Sequence, residues 1–88
     1  MPAIMTETAR ILSEQHTGES AVLLIHDPLR SWRPYITAIR TRGGEIIWPN
    51  YFRTVVAAAA DQHARVVAAE RITATYDDRT LAGVGVGY

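Results

Sequence analysis

Arginine and aromatic side chains are concentrated between residues 30 and 53. This stretch contains five arginines against a single acidic residue, Glu45, which gives it a local charge of +4. Guanidinium groups neutralise phosphates and aromatic rings stack on nucleobases. The composition therefore predicts a small non-catalytic protein that binds DNA or RNA mainly through phosphate contacts. The residues predicted to make these contacts are Arg30, Arg33, Arg40, Arg42, Arg53 and Trp48.

A second chemistry is suggested by the neighbours His26 and Asp27. A carboxylate beside a histidine can raise the imidazole pKa and make it a general acid or base. Neighbouring residues on a strand, however, point to opposite sides. The sequence also contains no GxSxG nucleophile motif and no Walker lysine. We therefore predict no catalytic residue and interpret the pair as the end of a strand, with an enzyme that uses it as the less favoured alternative.

No metal or cofactor site is predicted. The chain has no cysteine, and His16, His26 and His63 lack the spacing of metal ligands. The segment Gly83–Gly87 resembles a phosphate-binding loop, but such a loop needs a helix directly after its glycines. Only Tyr88 follows them in this sequence.

Length and composition predict one small globular domain spanning residues 1–88. A chain of 88 residues buries a modest core, so a second copy or another partner is expected. Residues 1–20 contain three glutamates and no long apolar run, which argues against a signal peptide. No stretch approaches the ~20 apolar residues of a membrane span. The absence of cysteine fits a reducing, cytoplasmic location.

The first half of the chain predicts two helices around a buried strand. Residues 6–16 suggest a helix that ends near Gly18, and residues 21–25 form a continuous apolar run typical of a central strand. Residues 32–42 predict a second helix, because its apolar side chains fall on one stripe that Gly43 and Gly44 would end. Four apolar residues form this stripe, namely Trp32, Tyr35, Ile36 and Ile39.

The second half predicts a strand, a long helix and a hairpin. Residues 45–48 read as a strand ended by Pro49, with Trp48 exposed, and Asn50 is the expected cap of a helix over residues 51–70. Asp61 and Arg65 are expected to pair on its solvent face. The stripe expected to face the core is Phe52, Val55, Val56, Ala59, His63, Val66 and Val67. Residues 72–76 and 81–88 predict two antiparallel strands.

Small residues near the end of the chain predict an interface. On the last predicted strand, the glycines leave one face without side chains, which favours close approach of another helix or chain. We expect a homodimer, and the alternative function is a protein-interaction or assembly module whose contacts are salt-tolerant. The predicted interface residues are Ala59, His63, Gly83, Gly85 and Gly87.

The predicted fold is an α/β (α+β) domain with a mixed sheet packed against helices. Its order is an N-terminal helix followed by strand, helix, strand, helix, strand and strand, with residues 6–16 extending a core of residues 21–88. The segments VLLI, IRTRGGEII and YDDRTLAGVGV, with the alanine-rich helix between them, resemble the Alba superfamily, including its bacterial stage V sporulation protein S relatives. That resemblance implies an often dimeric domain that binds DNA or RNA.

A winged helix is the alternative fold. Helices over residues 6–16, 32–42 and 51–70, followed by a hairpin, would place the third helix in the major groove. That helix would present Thr54, Ala57, Asp61 and Arg65, a set with few base-reading side chains. The α/β domain is therefore favoured.

Overall fold

The structure, a computed structural model, describes residues 4–86, with side chains described over residues 4–71. It contains one antiparallel sheet of four strands in the order β1-β2-β3-β4 and one helix. The predicted mixed sheet with several helices is therefore wrong. The elements are β1 (Arg10–Thr17), β2 (Ser20–His26), β3 (Tyr35–Arg40), β4 (Ile46–Phe52) and α1 (Val55–Val86).

The central strand β2 confirms the prediction made for residues 21–25 and is buried on both faces. Val22 and Leu24 lie on the face that α1 covers, and they are 0% and 5% exposed. Leu23 and Ile25 point to the opposite face and are fully buried. Both neighbours of β2 run antiparallel to it, because the chain reverses through a tight turn before β2 and a loop over residues 27–34 after it, with no crossover helix.

Residues 10–17 form strand β1, so the helix predicted over residues 6–16 is wrong. Gly18 does not end a helix but lies in a two-residue hairpin turn between the paired residues Thr17 and Ser20. Its φ of +66° is the left-handed conformation that a type II′ turn requires at this position. The buried strand β2 needs a hydrogen-bonding partner along each edge, and β1 provides one of them. The spacing of apolar residues within 6–16 gives no sign of this need.

Residues 35–40 form strand β3, so the helix predicted over residues 32–42 is also wrong. Ile36 and Ala38 point to one side of the sheet and Thr37 to the other, and all three are fully buried. A short apolar pattern of this kind fits either a helix or a strand, and pairing with β2 decides between them. The predicted core position of Trp32 is wrong as well, since this residue precedes β3 and is 75% exposed.

Strand β4 is longer than predicted and continues through Pro49. Pro49 is tolerated because β4 is an outer strand of the sheet. Trp48 has a φ of +54°, at the point where the pairing of β3 with β4 shifts register between Thr37 and Ile39. Gly43 and Gly44 form the turn before β4, with Gly44 at a φ of +89°, and do not end a helix.

The helix predicted over residues 51–70 is present, but it begins at Val55. Thr54, not Asn50, is its cap, because the Thr54 hydroxyl accepts a hydrogen bond from the Ala57 N–H at 3.1 Å. The face that packs on the sheet also differs from the prediction. Ala58 and Gln62 are buried, whereas Ala59 and His63 are exposed.

Polar contacts attach α1 to the sheet. Gln62 Nε2 donates to the Val22 carbonyl at 3.0 Å and to Ser13 Oγ at 3.3 Å. Asp61 accepts hydrogen bonds from Thr37 and Asn50. Asp61 also pairs with Arg65 at 3.2 Å, as predicted, but both side chains are mostly buried and do not lie on the solvent face.

Helix α1 continues to Val86, so the strands predicted at residues 72–76 and 81–88 are wrong for the part of them that the structure describes. Gly83 and Gly85 lie within the helix and do not form the bare face of a strand. Gly87 and Tyr88 lie outside the described residues.

The second face of the sheet carries the main apolar cluster. The N-terminal segment covers it with Ile4 and Met5, together with Tyr51 and Ile46 of β4. Both faces of the sheet are therefore covered, one by α1 and the other by residues near the N-terminus. The buried cluster contains Ala9, Ala21, Leu23, Ile25, Ile36 and Ala38.

Two leucines provide a matched test of this arrangement. Leu23→Ala should lower the free energy of unfolding by about 2–5 kcal/mol, because it leaves a cavity in the core. Leu12 is 50% exposed, so Leu12→Ala should cost under about 1 kcal/mol. Urea denaturation measures both, and equal costs would contradict the assignment of Leu23 to the core.

Candidate functional site

A buried carboxylate organises the end of the sheet where β2 and β3 are joined. Asp27 is 1% exposed and follows β2 directly. Thr6 Oγ1 donates to its Oδ2 at 2.8 Å, and Thr8 Oγ1 donates to its Oδ1 at 2.7 Å. The N–H of Leu29 donates to the same Oδ1 at 3.2 Å. Asp27 thereby joins the N-terminal segment to the loop of residues 27–34.

These contacts keep Asp27 ionised. The hydrogen bond from Thr8 is the largest cause that lowers the pKa of Asp27, and the bonds from Thr6 and Leu29 and the charge of Arg30 act in the same direction. Burial acts against them, because it disfavours the charged form. The net result is a pKa below the ordinary value, so Asp27 is an anion at neutral pH.

The backbone of Asp27 closes the same loop. Its N–H donates to the Pro34 carbonyl at 2.8 Å, and its carbonyl accepts from the Arg30 N–H at 3.0 Å. Leu29 and Trp32, within this loop, are each 75% exposed. A loop fixed at both ends thus holds two large apolar side chains in solvent.

Two arginines lie over aromatic rings at this end of the sheet. The Arg53 guanidinium carbon lies 5.3 Å from the centre of the Trp32 ring, and that of Arg30 lies 5.0 Å from the centre of the Tyr51 ring. Both distances fall within the range of a cation–π contact. Arg30 Nε also lies 3.6 Å from Asp27 Oδ2. We call the set Arg30, Trp32, Arg33, Tyr51 and Arg53 the arginine–aromatic surface.

An open cavity of about 440 Å³ lies in this surface, and none of its lining residues is acidic. Arg33 and Arg53 are exposed, and neither forms an ion pair with any residue among 4–71. The cavity is large enough for a small ligand, and its surroundings favour an anion. The lining residues are Leu29, Arg30, Ser31, Trp32, Arg33 and Tyr51.

The structure divides the predicted arginine face into two groups. Arg30, Arg33 and Arg53 lie together at the loop end of the sheet. Arg40 and Arg42 lie at or beyond the other end of β3, where Arg40 pairs with Glu14 and Arg42 with Glu19 at 3.3 Å. The strands between the two ends are roughly 20 Å long, so the five arginines do not form one surface.

The two tryptophans lie at different places in the fold. Trp48 is exposed at 71%, as predicted, but it lies within β4 and does not line the cavity. Trp32 and Tyr51 line it instead. A sequence signal for Trp32 was present, because Pro28 and Pro34 bracket a segment typical of a loop.

The side chains of His26 and Asp27 form neither a hydrogen bond nor an ion pair with each other. The His26 ring stacks on Tyr35 with 4.8 Å between ring centres, while Thr6 and Thr8 occupy the Asp27 carboxylate. Within the described residues, no three histidine or carboxylate side chains are grouped as metal ligands. In the same part of the chain, no helix has the length and hydropathy needed to cross a bilayer.

Comparison with known proteins adds no relative. The sequence matches no protein-family model and no curated protein, and the structure matches no solved structure. The order of elements that suggested the Alba superfamily is also not the order found here.

The ionised state of Asp27 predicts an acid-dependent stability. Because its pKa in the folded protein is lowered from 3.8, its stabilising effect should be complete above about pH 5 and disappear as the pH falls through 3.8 towards the lower folded value. Asp27→Asn should therefore melt at a lower temperature than wild type at pH 7, and the difference should shrink towards pH 3. Thermal unfolding followed by circular dichroism measures both proteins, and a difference independent of pH would contradict this role.

Proposed function

We propose that the protein binds single-stranded nucleic acid through the arginine–aromatic surface. The observation that carries the proposal is the placement of exposed Trp32 beside Arg53, with Arg30 and Arg33 around a cavity whose lining contains no acid. Single-strand binding combines cationic side chains that contact the backbone with aromatic rings that stack on bases. Cationic side chains and an exposed aromatic ring occur together at this end of the sheet.

The arginines differ in the role that their contacts support. Arg30 is held by Asp27 and Tyr51, so its position is largely fixed before a ligand arrives. Arg33 and Arg53 are exposed and have no carboxylate partner among residues 4–71, so their charges are available to phosphates. Arg30 and Arg33 line the cavity, and Arg53 lies over the ring of Trp32, which also lines it. One fixed and two available cations at this end of the sheet suit a phosphate backbone that passes across the loop.

The geometry favours a single strand over a duplex. Trp32 stands 75% exposed, so its indole retains a face on which an unpaired base can stack. The bases of a duplex are already stacked and paired, and would have to leave the helix to reach this ring. The recess of about 440 Å³ next to Trp32 offers space for one such base.

Two double variants test the proposal with the same number of charges removed. Binding of a labelled oligothymidylate, oligouridylate and a duplex is measured by fluorescence anisotropy between about 50 and 200 mM salt. Arg33→Ala/Arg53→Ala should reduce the slope of log K against log salt by about 1.4, since each single-strand phosphate contact contributes about 0.7. The control Arg40→Ala/Arg42→Ala removes arginines that are paired with Glu14 and Glu19, respectively, and should leave the slope unchanged.

The aromatic part of the surface is tested separately. Trp32→Ala should weaken binding by about 1–3 kcal/mol without changing the salt slope, because it removes stacking and no charge. Trp48→Ala is the matched control and should bind like wild type. Absence of binding at low salt, or equal losses in both arginine double variants, would refute the proposed surface.

A further inference from the structure

The outer face of α1 carries three apolar side chains and one histidine, where a surface helix normally carries charged residues. We define this face by Val56, Ala60, His63 and Val67, which recur at intervals of four, three and four residues. All four are exposed, and Val56 reaches 76%. This stripe overlaps the one that the sequence predicts to be buried, but in the structure its four residues are exposed. His63 also borders a recess beside β1, which Gln15, Gln62 and Val66 line with it.

Charge is also absent from this part of the helix surface. Between Val55 and Ala69 the only carboxylate and guanidinium belong to Asp61 and Arg65. These two pair with each other on the sheet side, with their side chains 25% and 19% exposed. A helix that faces water on one side normally carries charged residues there, so four turns without them indicate a face that another apolar surface covers.

We infer that a second copy of this chain covers the outer face, with the two α1 helices antiparallel. A repeat of four and three residues is the spacing of a helix–helix seam. A two-fold axis between Asp61 and Gln62 would place Val56 opposite Val67 of the partner, and Ala60 opposite the partner's His63. At this second pair, the large side chain of His63 meets the small side chain of Ala60 from the other copy. Such matching of large and small side chains is what a self-complementary interface requires.

The lack of charge on the outer face also favours a second copy of this chain as the partner. A symmetric pair brings each charge close to its own copy, so a charged face would oppose self-association. The outer face carries no carboxylate or guanidinium, and a second copy therefore meets it without repulsion. A strongly charged partner would lose hydration at this face and gain no opposite charge in return.

Light scattering after size exclusion and sedimentation equilibrium, over a range of concentrations, test the inference. Wild type should be a dimer at high concentration. Ala60→Glu should raise the dissociation constant by at least about tenfold, because it buries an unpaired charge, and glutamate preserves the helix. The control Leu12→Glu places the same charge on the 50% exposed Leu12 of β1 and should dimerise like wild type.

Disulfide formation tests the orientation, since the chain has no cysteine of its own. Ala60→Cys and His63→Cys proteins of different tagged mass are mixed and oxidised. The mixed 60–63 product should exceed both self-linked products, because only antiparallel helices bring these positions together. Predominant 60–60 and 63–63 linkage would overturn the antiparallel arrangement. A monomer at every concentration, or a dimer disrupted by Leu12→Glu and not by Ala60→Glu, would overturn the inference.

Discussion

The buried carboxylate of Asp27 joins the N-terminal segment to the loop between β2 and β3. Its two oxygens hold Thr6 and Thr8 of the N-terminal segment, and the Leu29 N–H of the loop. The segment it anchors covers the apolar cluster on one face of the sheet, with Ile4 and Met5. The loop it closes presents Trp32 and Arg30. Core and candidate site therefore depend on the same buried charge, whose burial is offset by three hydrogen bonds and the nearby charge of Arg30.

Hydrogen bonds from polar side chains position α1 on the sheet more than the burial of large apolar side chains does. Its buried side chains over the described residues are Ala58 and Gln62, and alanine contributes little apolar area. Gln62 spans β1 and β2, while Asp61 reaches β3 and β4. Hydrogen bonds are directional, so these two adjacent residues fix both the rotation and the axial position of α1. Rotation of the helix by one position would leave the buried groups unpaired, and this explains why Val55, Val56 and Val67 are exposed.

The sequence predicts correctly those elements that a pattern of neighbouring residues determines. The apolar run of residues 21–25 predicted β2, and the alanine-rich segment predicted the first part of α1, because such patterns admit few alternatives. Residues 10–17 and 35–40 were misassigned as helices, since their short apolar spacing fits both structures. What decides them is the need of β2 for a partner on each edge, which is a non-local constraint. The pairing of Asp27 with threonines 19 and 21 residues away was invisible for the same reason.

The same distinction holds for the candidate site. Local charge located Arg30, Arg33 and Arg53, but it also included Arg40 and Arg42, whose glutamate partners lie 26 and 23 residues away in the chain. Only the antiparallel pairing of the strands brings those glutamates to the arginines. Trp32 lies in a loop, whereas the sequence predicts it on the core face of a helix, so its exposed ring is absent from the predicted binding residues. The role predicted for Trp48 stays a prediction.

Trp48 and Pro49 have a consequence for aggregation. An outer strand offers unpaired N–H and C=O groups on which strands of other molecules can add. Pro49 has no N–H, and the left-handed Trp48 at a φ of +54° interrupts the regular backbone of β4, so this side of the sheet is a poor template for growth. On the other side, β1 is irregular only between Ile11 and Ser13, and then pairs regularly with β2 as far as Thr17. Fibril-like assembly, under conditions that loosen the fold, would therefore start from β1.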